Sequence, residues 1–458
     1  MAVPRYSSGD VSPAPLGRNL EFPVSGRIAK NRFLKSPMAE TLATWSPRHV
    51  YERGIPTDEL VELYRRWGEG KNNWGVIVTG NIDTNWAMVN GPGDMIITPD
   101  CLFEGERFEK FTELAAAAKA DGSLIVGQIT HPGRQVRAAV SPTSVSASDV
   151  QLVNTEPKDG QTFGKPHAAT RAEMKKIVDE FAYAAEYLEK AGFDGIELHA
   201  AHGYLIAQFL SRTTNKRTDE YGVQTTENRM RFLSDVVRGI KARVSPKFIV
   251  SAKLNSVEFQ EGGVTPDEAR EVCETLEKLG LDFVELSGGT YEELGLKFER
   301  ESTKIREGFF LKFAQAISQA LGPGRKMKLY LSGGMRSVGS MISALDSVDG
   351  IGLGRPAAAE PRLASDIVEG RAGGALKPQT AGEEFPLSLM AAGAQIWQIA
   401  RGKEPFQLWD EKVLAQLEQD LGIWFGEKTE DGDKLEHTKP PMYTGPQHEY
   451  ESSATVVA

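Results

Sequence analysis

The sequence predicts an α/β protein, a (β/α)8 TIM barrel with a C-terminal helical extension. Three observations carry that expectation. Short apolar runs alternate with longer amphipathic ones eight times; each run is followed by a helical pattern; and polar residues able to do chemistry gather where the runs end. The apolar runs lie at 33–38, 75–80, 124–129, 195–198, 248–254, 283–286, 328–331 and 350–354. A continuous run of that length fits a strand covered on both faces, as strands of parallel sheets are. Helical patterns follow near 58–71, 106–121, 171–191, 227–244, 265–280, 308–321, 336–346 and 357–370, with Thr170, Thr226 and Thr265-Pro266 placed to open three of them. Eight β-then-α units favour a closed barrel over a doubly wound sheet.

The barrel is expected to occupy residues 1–370, with 1–29 as its lead-in. Residues 371–458 form an extension, with helices near 387–401 and 408–421 and a polar tail, and no linker long enough to free it as an independent domain. Its Trp397, Trp409, Trp424 and Phe425 read as packing residues; a lid or a dimer contact is the alternative. Two connections, 131–170 and 199–226, are unusually long, and long loops in compact domains tend to shape binding sites. For 141–165 a surface loop without a role is the alternative.

Composition excludes several classes. Of 458 residues, 40% are hydrophobic and 25% charged, which is a globular composition and not that of a fibre or a disordered chain. The net charge of −10 argues against a nucleic-acid surface and leaves any anionic ligand to a local positive cluster. Cys101 and Cys273 are too few for a disulfide framework or for an iron–sulfur cluster held by four cysteines. No apolar signal core and no run long enough to span a bilayer are present, so a cytoplasmic protein without a membrane partner is expected. A homo-oligomer is compatible with all of this.

The most informative stretch is 193–204, where an apolar strand runs straight into His199, His202 and Tyr204 within six residues. In a barrel the reacting groups sit at the C-terminal ends of strands, which is where these three fall. A metal site is the rival for His199-x-x-His202, but no carboxylate or thiolate partner is evident; a structural histidine pair is the other.

Five segments in order complete the pattern: Asn31-Arg32-Phe33-Leu34-Lys35-Ser36-Pro37-Met38-Ala39; Gly127-Gln128-Ile129-Thr130-His131-Pro132-Gly133-Arg134; the run from His199 to Phe209 continuing through residues 215–222 and Glu227-Asn228-Arg229; Ser332-Gly333-Gly334; and Gly352-Leu353-Gly354-Arg355-Pro356. Over roughly residues 15–370 the chain resembles the old yellow enzyme family of FMN-dependent oxidoreductases, the NADH:flavin oxidoreductase type. The resemblance implies FMN as cofactor, NADPH or NADH as hydride donor, and a small-molecule substrate. It places the main chain of Pro37, Met38 and Ala39 against the flavin, and Gly80 where a side chain would crowd the ring. Gln128 can pair with the flavin pyrimidine edge, because an amide offers both a donor and an acceptor. Lys253 would meet the negative charge of the reduced flavin. Gly333, Gly334, Gly354 and Arg355 would hold the phosphate, where backbone N–H groups and a planar guanidinium approach a dianion.

The same resemblance assigns the chemistry: His199 and His202 to the substrate's carbonyl oxygen, and Tyr204 to protonation of a carbon. The implied reaction is reduction of the C=C bond of α,β-unsaturated carbonyl or nitro compounds. Three departures stand out. Ala39 replaces a threonine or cysteine common in relatives, Thr41 stands where some carry tyrosine, and Glu40 is unusual so near a flavin. A flavin-dependent dehydrogenase, isomerase or cyclase of a biosynthetic pathway is the enzymatic alternative. A non-catalytic flavin-binding or docking module, with 371–458 as its interface, is the alternative from another class.

Overall fold

The computed structural model describes all residues except 1–2, 8, 154–161, 256–265, 288–301, 380–384 and 452–458. The chain enters through an antiparallel hairpin, β1 (Leu20–Phe22) and β2 (Arg27–Ala29). Eight parallel strands follow: β3 (Phe33–Lys35), β4 (Val76–Asp83), β6 (Leu124–Thr130), β9 (Gly195–Ala200), β10 (Ile249–Asn255), β11 (Phe283–Ser287), β12 (Lys328–Ser332) and β13 (Gly350–Leu353). They are ordered β3-β13-β12-β11-β10-β9-β6-β4, and a β3–β4 pairing shuts the ring, so the sheet is a closed barrel as the sequence predicts.

The helices outside are α1 (Asp58–Gly68), α2 (Glu106–Lys119), α3 (Arg171–Lys190), α5 (Thr226–Lys241), α6 (Pro266–Leu279), α7 (Ser302–Leu321) and α8 (Val338–Ala344). A last helix is split into α9 (Arg355–Ala359) and α10 (Leu363–Val368). The continuous helix expected over 357–370 breaks at Glu360-Pro361, because proline supplies no N–H and disfavours a helical residue before it. Thr170 caps α3 in a capping box: its hydroxyl accepts from Glu173 N at 3.2 Å, and Glu173 accepts from Thr170 N at 2.8 Å. The cap of α5 is Thr225 and not Thr226, whose hydroxyl bonds Glu271 instead. The expected cap Thr265 lies outside the described residues.

Strand parity sorts the lumen into levels, since alternate residues of a strand face one side. Leu34, Val76, Val78, Leu124, Val126, Ile249, Phe283 and Tyr330, near the strand starts, pack with Leu20, Phe22 and Ala29 of the hairpin into one apolar cluster that plugs the N-terminal end. Around it, carboxylates just ahead of three strands accept backbone N–H groups of the neighbouring strand. Asp194 takes Ile125 N at 3.1 Å, Asp282 takes Val250 N at 3.0 Å, and Asp349 takes Leu329 N at 2.8 Å. Asp282 also receives Ser25 N of the hairpin turn at 2.8 Å, which ties the plug to the barrel. Farther along the strands the same parity turns polar, two residues on at Gln128, Glu285 and Ser332 and four residues on from Ile249 at Lys253, with these and Glu197 all buried.

Two smaller pairings modify the loops. β5 (Met95–Ile96) pairs with the end of β4, and within the long connection 131–170 β7 (Ser144–Ser146) pairs in parallel with β8 (Pro166–Ala168). The extension carries α11 (Phe385–Ala400) and α12 (Glu411–Asp431), the latter starting three residues later and ending ten residues later than the sequence pattern indicates. α11 packs against α1 and α9. The turn after α12 reaches the first β/α loop, where Trp45 Nε1 donates to Leu435 O at 2.9 Å.

Candidate active site

β9 delivers Glu197 and then His199 into the lumen, and the chain leaves the strand in a tight turn before α4 (Leu205–Leu210). His202 and Gly203 both adopt the left-handed region, with φ of 54° and 75°. For a histidine this backbone is uncommon and costs energy unless its surroundings enforce it. They do: His202 N donates to Asn255 Oδ1 at 3.2 Å, and its carbonyl accepts from Gln135 Nε2 at 2.9 Å. The turn brings three rings together. The His199 and His202 centroids are 5.2 Å apart, edge to face, and the Tyr204 ring lies 4.2 Å from His199.

Both imidazoles are neutral near pH 7. Burial, then His202 and Lys253, pull His199 well below its ordinary value; burial, then the Lys253 ammonium, pulls His202 down to about 3. His199 Nδ1 accepts from Ala201 N at 3.4 Å, which leaves the proton on Nε2. His202 Nε2 is 3.4 Å from Ser287 Oγ. Among the described residues no group of three or more histidine, cysteine or acidic side chains is arranged to hold a metal. The Tyr204 hydroxyl donates to Asn90 Oδ1 at 2.9 Å, and Asn81 Nδ2 is 3.4 Å from it.

Below the rings lies a buried charged stratum. Lys253 Nζ is 2.8 Å from Glu285 Oε1, which also accepts from the Ser332 hydroxyl; Ser332 Oγ in turn is 2.9 Å from Ser36 Oγ. Gln128 Nε2 donates to Glu197 Oε1 at 2.8 Å. Burial works to raise Glu285, but the Lys253 ammonium and the serine hydroxyls outweigh it and hold the carboxyl below its ordinary value. Burial and then repulsion from Glu285 push Glu197 well above its ordinary value, so it is the protonated member of the two carboxyls. The sequence reading gave Lys253 only a cofactor as partner; the structure supplies a permanent carboxylate. For Glu197 parity held the clue, because it stands two residues before His199 and faces the same way.

The remaining expected residues fall at the same end of the barrel. Pro37 and Met38 are half-buried just after β3, and Ala39 is exposed. A methyl group on Gly80 would come within 2.1 Å of Glu40 Oε2 and 2.4 Å of Met38 O, so the protein itself requires glycine there. Glu40, unusual in the sequence, is buried: it accepts from Gly80 N at 2.7 Å and from the Tyr64 hydroxyl. Lys35 is fully buried against the Trp67 ring at 4.0 Å and donates to Val78 O at 2.9 Å; desolvation brings it down to about 8. The sequence places Glu40 near the flavin without assigning it a partner, and assigns Lys35 no role.

Gly333 and Gly334 follow β12 with positive φ of 121° and 77°. Gly354 follows β13, and a Cβ there would meet no atom closer than 3.9 Å. The Arg355 guanidinium bonds Ser388 of α11. Open space over Gly354 beside a left-handed glycine pair fits a phosphate, and the Gln128 amide with the Lys253 ammonium fits the polar edge of a flavin. The residues present therefore suit FMN.

A sequence profile of the NADH:flavin oxidoreductase / NADH oxidase family matches residues 25–373. The chain is 46% identical over 437 residues to the NADH-dependent flavin oxidoreductase nadA of Aspergillus parasiticus, covering 95% of this chain and 96% of that one. It is 32% identical to the NADH-dependent flavin oxidoreductase iccE of Talaromyces variabilis, over 75% of this chain and 84% of that one. Among solved structures, the old yellow enzyme homologue of Zymomonas mobilis superposes with a TM-score of 0.62 at 25% identity, over 82% of this chain and 98% of that one. Morphinone reductase in complex with tetrahydroNAD superposes with a TM-score of 0.62 at 21% identity, over 80% and 93%, a likeness of fold. The barrel and its polar mouth thus define a flavin oxidoreductase. The chain belongs to the NADH:flavin oxidoreductase / NADH oxidase family, the old yellow enzyme family, with FMN as cofactor and a reduced nicotinamide as electron donor.

Proposed function

We propose that this oxidoreductase reduces the C=C bond of α,β-unsaturated carbonyl or nitro compounds. The observation that carries the reading is the convergence of two neutral imidazoles and a phenol at the end of β9. The main chain of Pro37, Met38 and Ala39, the side chains of Gln128 and Lys253, and Gly333, Gly334, Gly354 and Arg355 would hold FMN, which would supply hydride chemistry between nicotinamide and alkene. The other steps fall to the chain. His199, with its proton on Nε2, and His202 donate N–H groups to the carbonyl or nitro oxygen of the substrate. As hydride reaches the β-carbon, charge accumulates on that oxygen, and each donor aimed at it contributes about 10²–10³ in rate. Neutral imidazoles suit this task, because they stabilise the enolate without giving up a proton. Tyr204 then transfers its hydroxyl proton to the α-carbon, completing a saturated C–C bond, and recovers a proton from water. Positioned proton transfer contributes about 10²–10⁴.

An anaerobic absorbance experiment tests the reading. NADH or NADPH is expected to bleach the flavin band, and cyclohexenone to restore it. In Tyr204→Phe the bleaching is unaffected while the return slows by about 10²–10⁴. A flavin that is bleached by nicotinamide but returns with no activated alkene would transfer the assignment to dehydrogenase or isomerase chemistry.

A further inference from the structure

The phenol of Tyr204 is held by a part of the molecule that the sequence does not single out, the connection from β4 to β5. Asn90 Oδ1 accepts the Tyr204 hydroxyl at 2.9 Å, and Asn90 Nδ2 reaches Asp94 Oδ2 at 3.2 Å. Asn81 Nδ2 stands between the same two groups, 3.5 Å from Asp94 Oδ2 and 3.4 Å from the Tyr204 oxygen. Asn81 owes that direction to an irregularity in β4, whose register against β6 shifts between Val78 and Asn81. A bulge in a strand re-aims the side chains beyond it. Asn90 is fixed from behind as well, since its backbone N–H donates to Asp83 Oδ2 at 3.0 Å. β5, paired to β4 through Ile82–Met95 and Asp83–Ile96, keeps Asp94 beside the strand end.

We propose that Asn90, with Asn81 beside it, is the positioning residue of the Tyr204 phenol, and that Asp94 is the anchor that fixes which way both amides face. This rests on the reading of Tyr204 as proton donor. The two ends of an amide have nearly the same shape, so something must choose between them. A carboxylate oxygen accepts and does not donate, so Asp94 draws the NH2 of both asparagines toward itself. That turns the Asn90 carbonyl to the phenol, where it accepts the hydroxyl's hydrogen bond. It also leaves Asn81 with an N–H for the phenol oxygen once the proton has moved to the substrate. Both asparagines act by fixing where the hydroxyl sits against the His199 ring. Asp94 and Asp83 are buried, with Asp94 raised to about 7 mainly by desolvation and with Glu40 adding to the rise.

The test is a double-mutant cycle on the FMN-loaded protein, following flavin bleaching by NADH and its return on cyclohexenone as separate steps. Asn90→Ala and Asp94→Asn are each expected to slow the return by about tenfold or more and to leave bleaching unchanged, and both effects should disappear in the Tyr204→Phe background. The nearly isosteric Asp94→Asn guards against a folding failure of Asn90→Ala, and melting curves confirm that both fold. The solvent isotope effect on the return should rise in each single variant, because proton delivery becomes more limiting. Equal slowing with and without the Tyr204 hydroxyl would overturn the positioning role while leaving Tyr204 as proton donor. A Tyr204→Phe protein as fast as the parent would instead remove the proton-donor reading, and the positioning role with it.

Discussion

The two ends of the barrel lumen are built from the same strands in the same parity, yet they follow opposite rules. At the N-terminal end Phe283 packs against Phe22 at 5.6 Å and Tyr330 at 5.3 Å inside an apolar cluster, with carboxylates ringed around it as staples. Two residues farther on, Phe283 gives way to Glu285, Val126 to Gln128 and Tyr330 to Ser332. Burying a phenylalanine side chain is worth about 1.5–3 kcal/mol, whereas a buried ion pair contributes roughly nothing net or costs a few kcal/mol. Stability is therefore made at one end and spent at the other. Backbone strain follows the same division: of the described non-glycine residues with positive φ, Thr41 and His202 lie in β/α loops at the C-terminal end, and Leu435 meets the first of these loops through Trp45. Strain that packing does not demand tends to collect at functional sites.

The largest effect should come from the plug. Phe283→Ala is expected to cost about 3–5 kcal/mol in denaturant unfolding, with the folded fraction retaining parental rates of flavin bleaching and return. Loss of those rates in proportion to stability would break the division, since it would mean the plug shapes the mouth. Lys253→Ala is of comparable size, at about 3–5 kcal/mol, because it strands Glu285 in the interior. The sign with pH is fixed by Glu285, whose folded value lies below the ordinary carboxyl value of 4.5. The contribution is present in full above pH 4.5 and is lost as pH falls through the folded value, so parent and variant should converge in acid. FMN should also dissociate more readily from the variant; unchanged FMN retention would take Lys253 out of the cofactor site.

These contrasts bear on how much could be read from the chain. The eight strands were legible because burial on both faces leaves continuous apolar runs, and the His199–Tyr204 stretch was legible because chemistry-bearing groups concentrate after one of them. Glu197 and Glu285 were legible in principle: each sits in a run that is otherwise apolar, at the inward parity. Asn90 and Asp94 were not, because a connection without periodicity gives no hint of which side chains face a strand end. The β4 irregularity that turns Asn81 has no compositional signature either. The long connections 131–170 and 199–226 were expected to form the mouth. They do contribute Gln135 and Tyr204, but the 84–94 segment that holds the phenol went unnoticed. The extension was legible as helices and not as a neighbour of Trp45, since docking depends on the shape of both partners.

A smaller effect tests the staples. Asp282→Ala removes the acceptor for both Ser25 N and Val250 N, and should cost about 1–3 kcal/mol by denaturant unfolding without changing either flavin step. A defect in flavin return would show that the N-terminal face reaches the chemistry.

The smallest effect has the opposite sign and is the sharpest probe of the division. If the C-terminal end gives up stability for function, removing one of its costly groups should stabilise the protein. Asp94 titrates at 3.8 when exposed and is raised to about 7 in the fold, chiefly by burial. For an acid raised in this way, the folded state is favoured in full below pH 3.8 and loses that advantage as pH climbs through 7. Asp94→Asn carries no charge at any of these values. Its melting temperature should match the parent near pH 4 and exceed it at pH 8, while its flavin return is slower. A variant less stable than the parent at pH 8 would mean that Asp94 is there to hold the β4–β5 connection together, and that this carboxyl belongs with Asp282 among the staples and not with Tyr204.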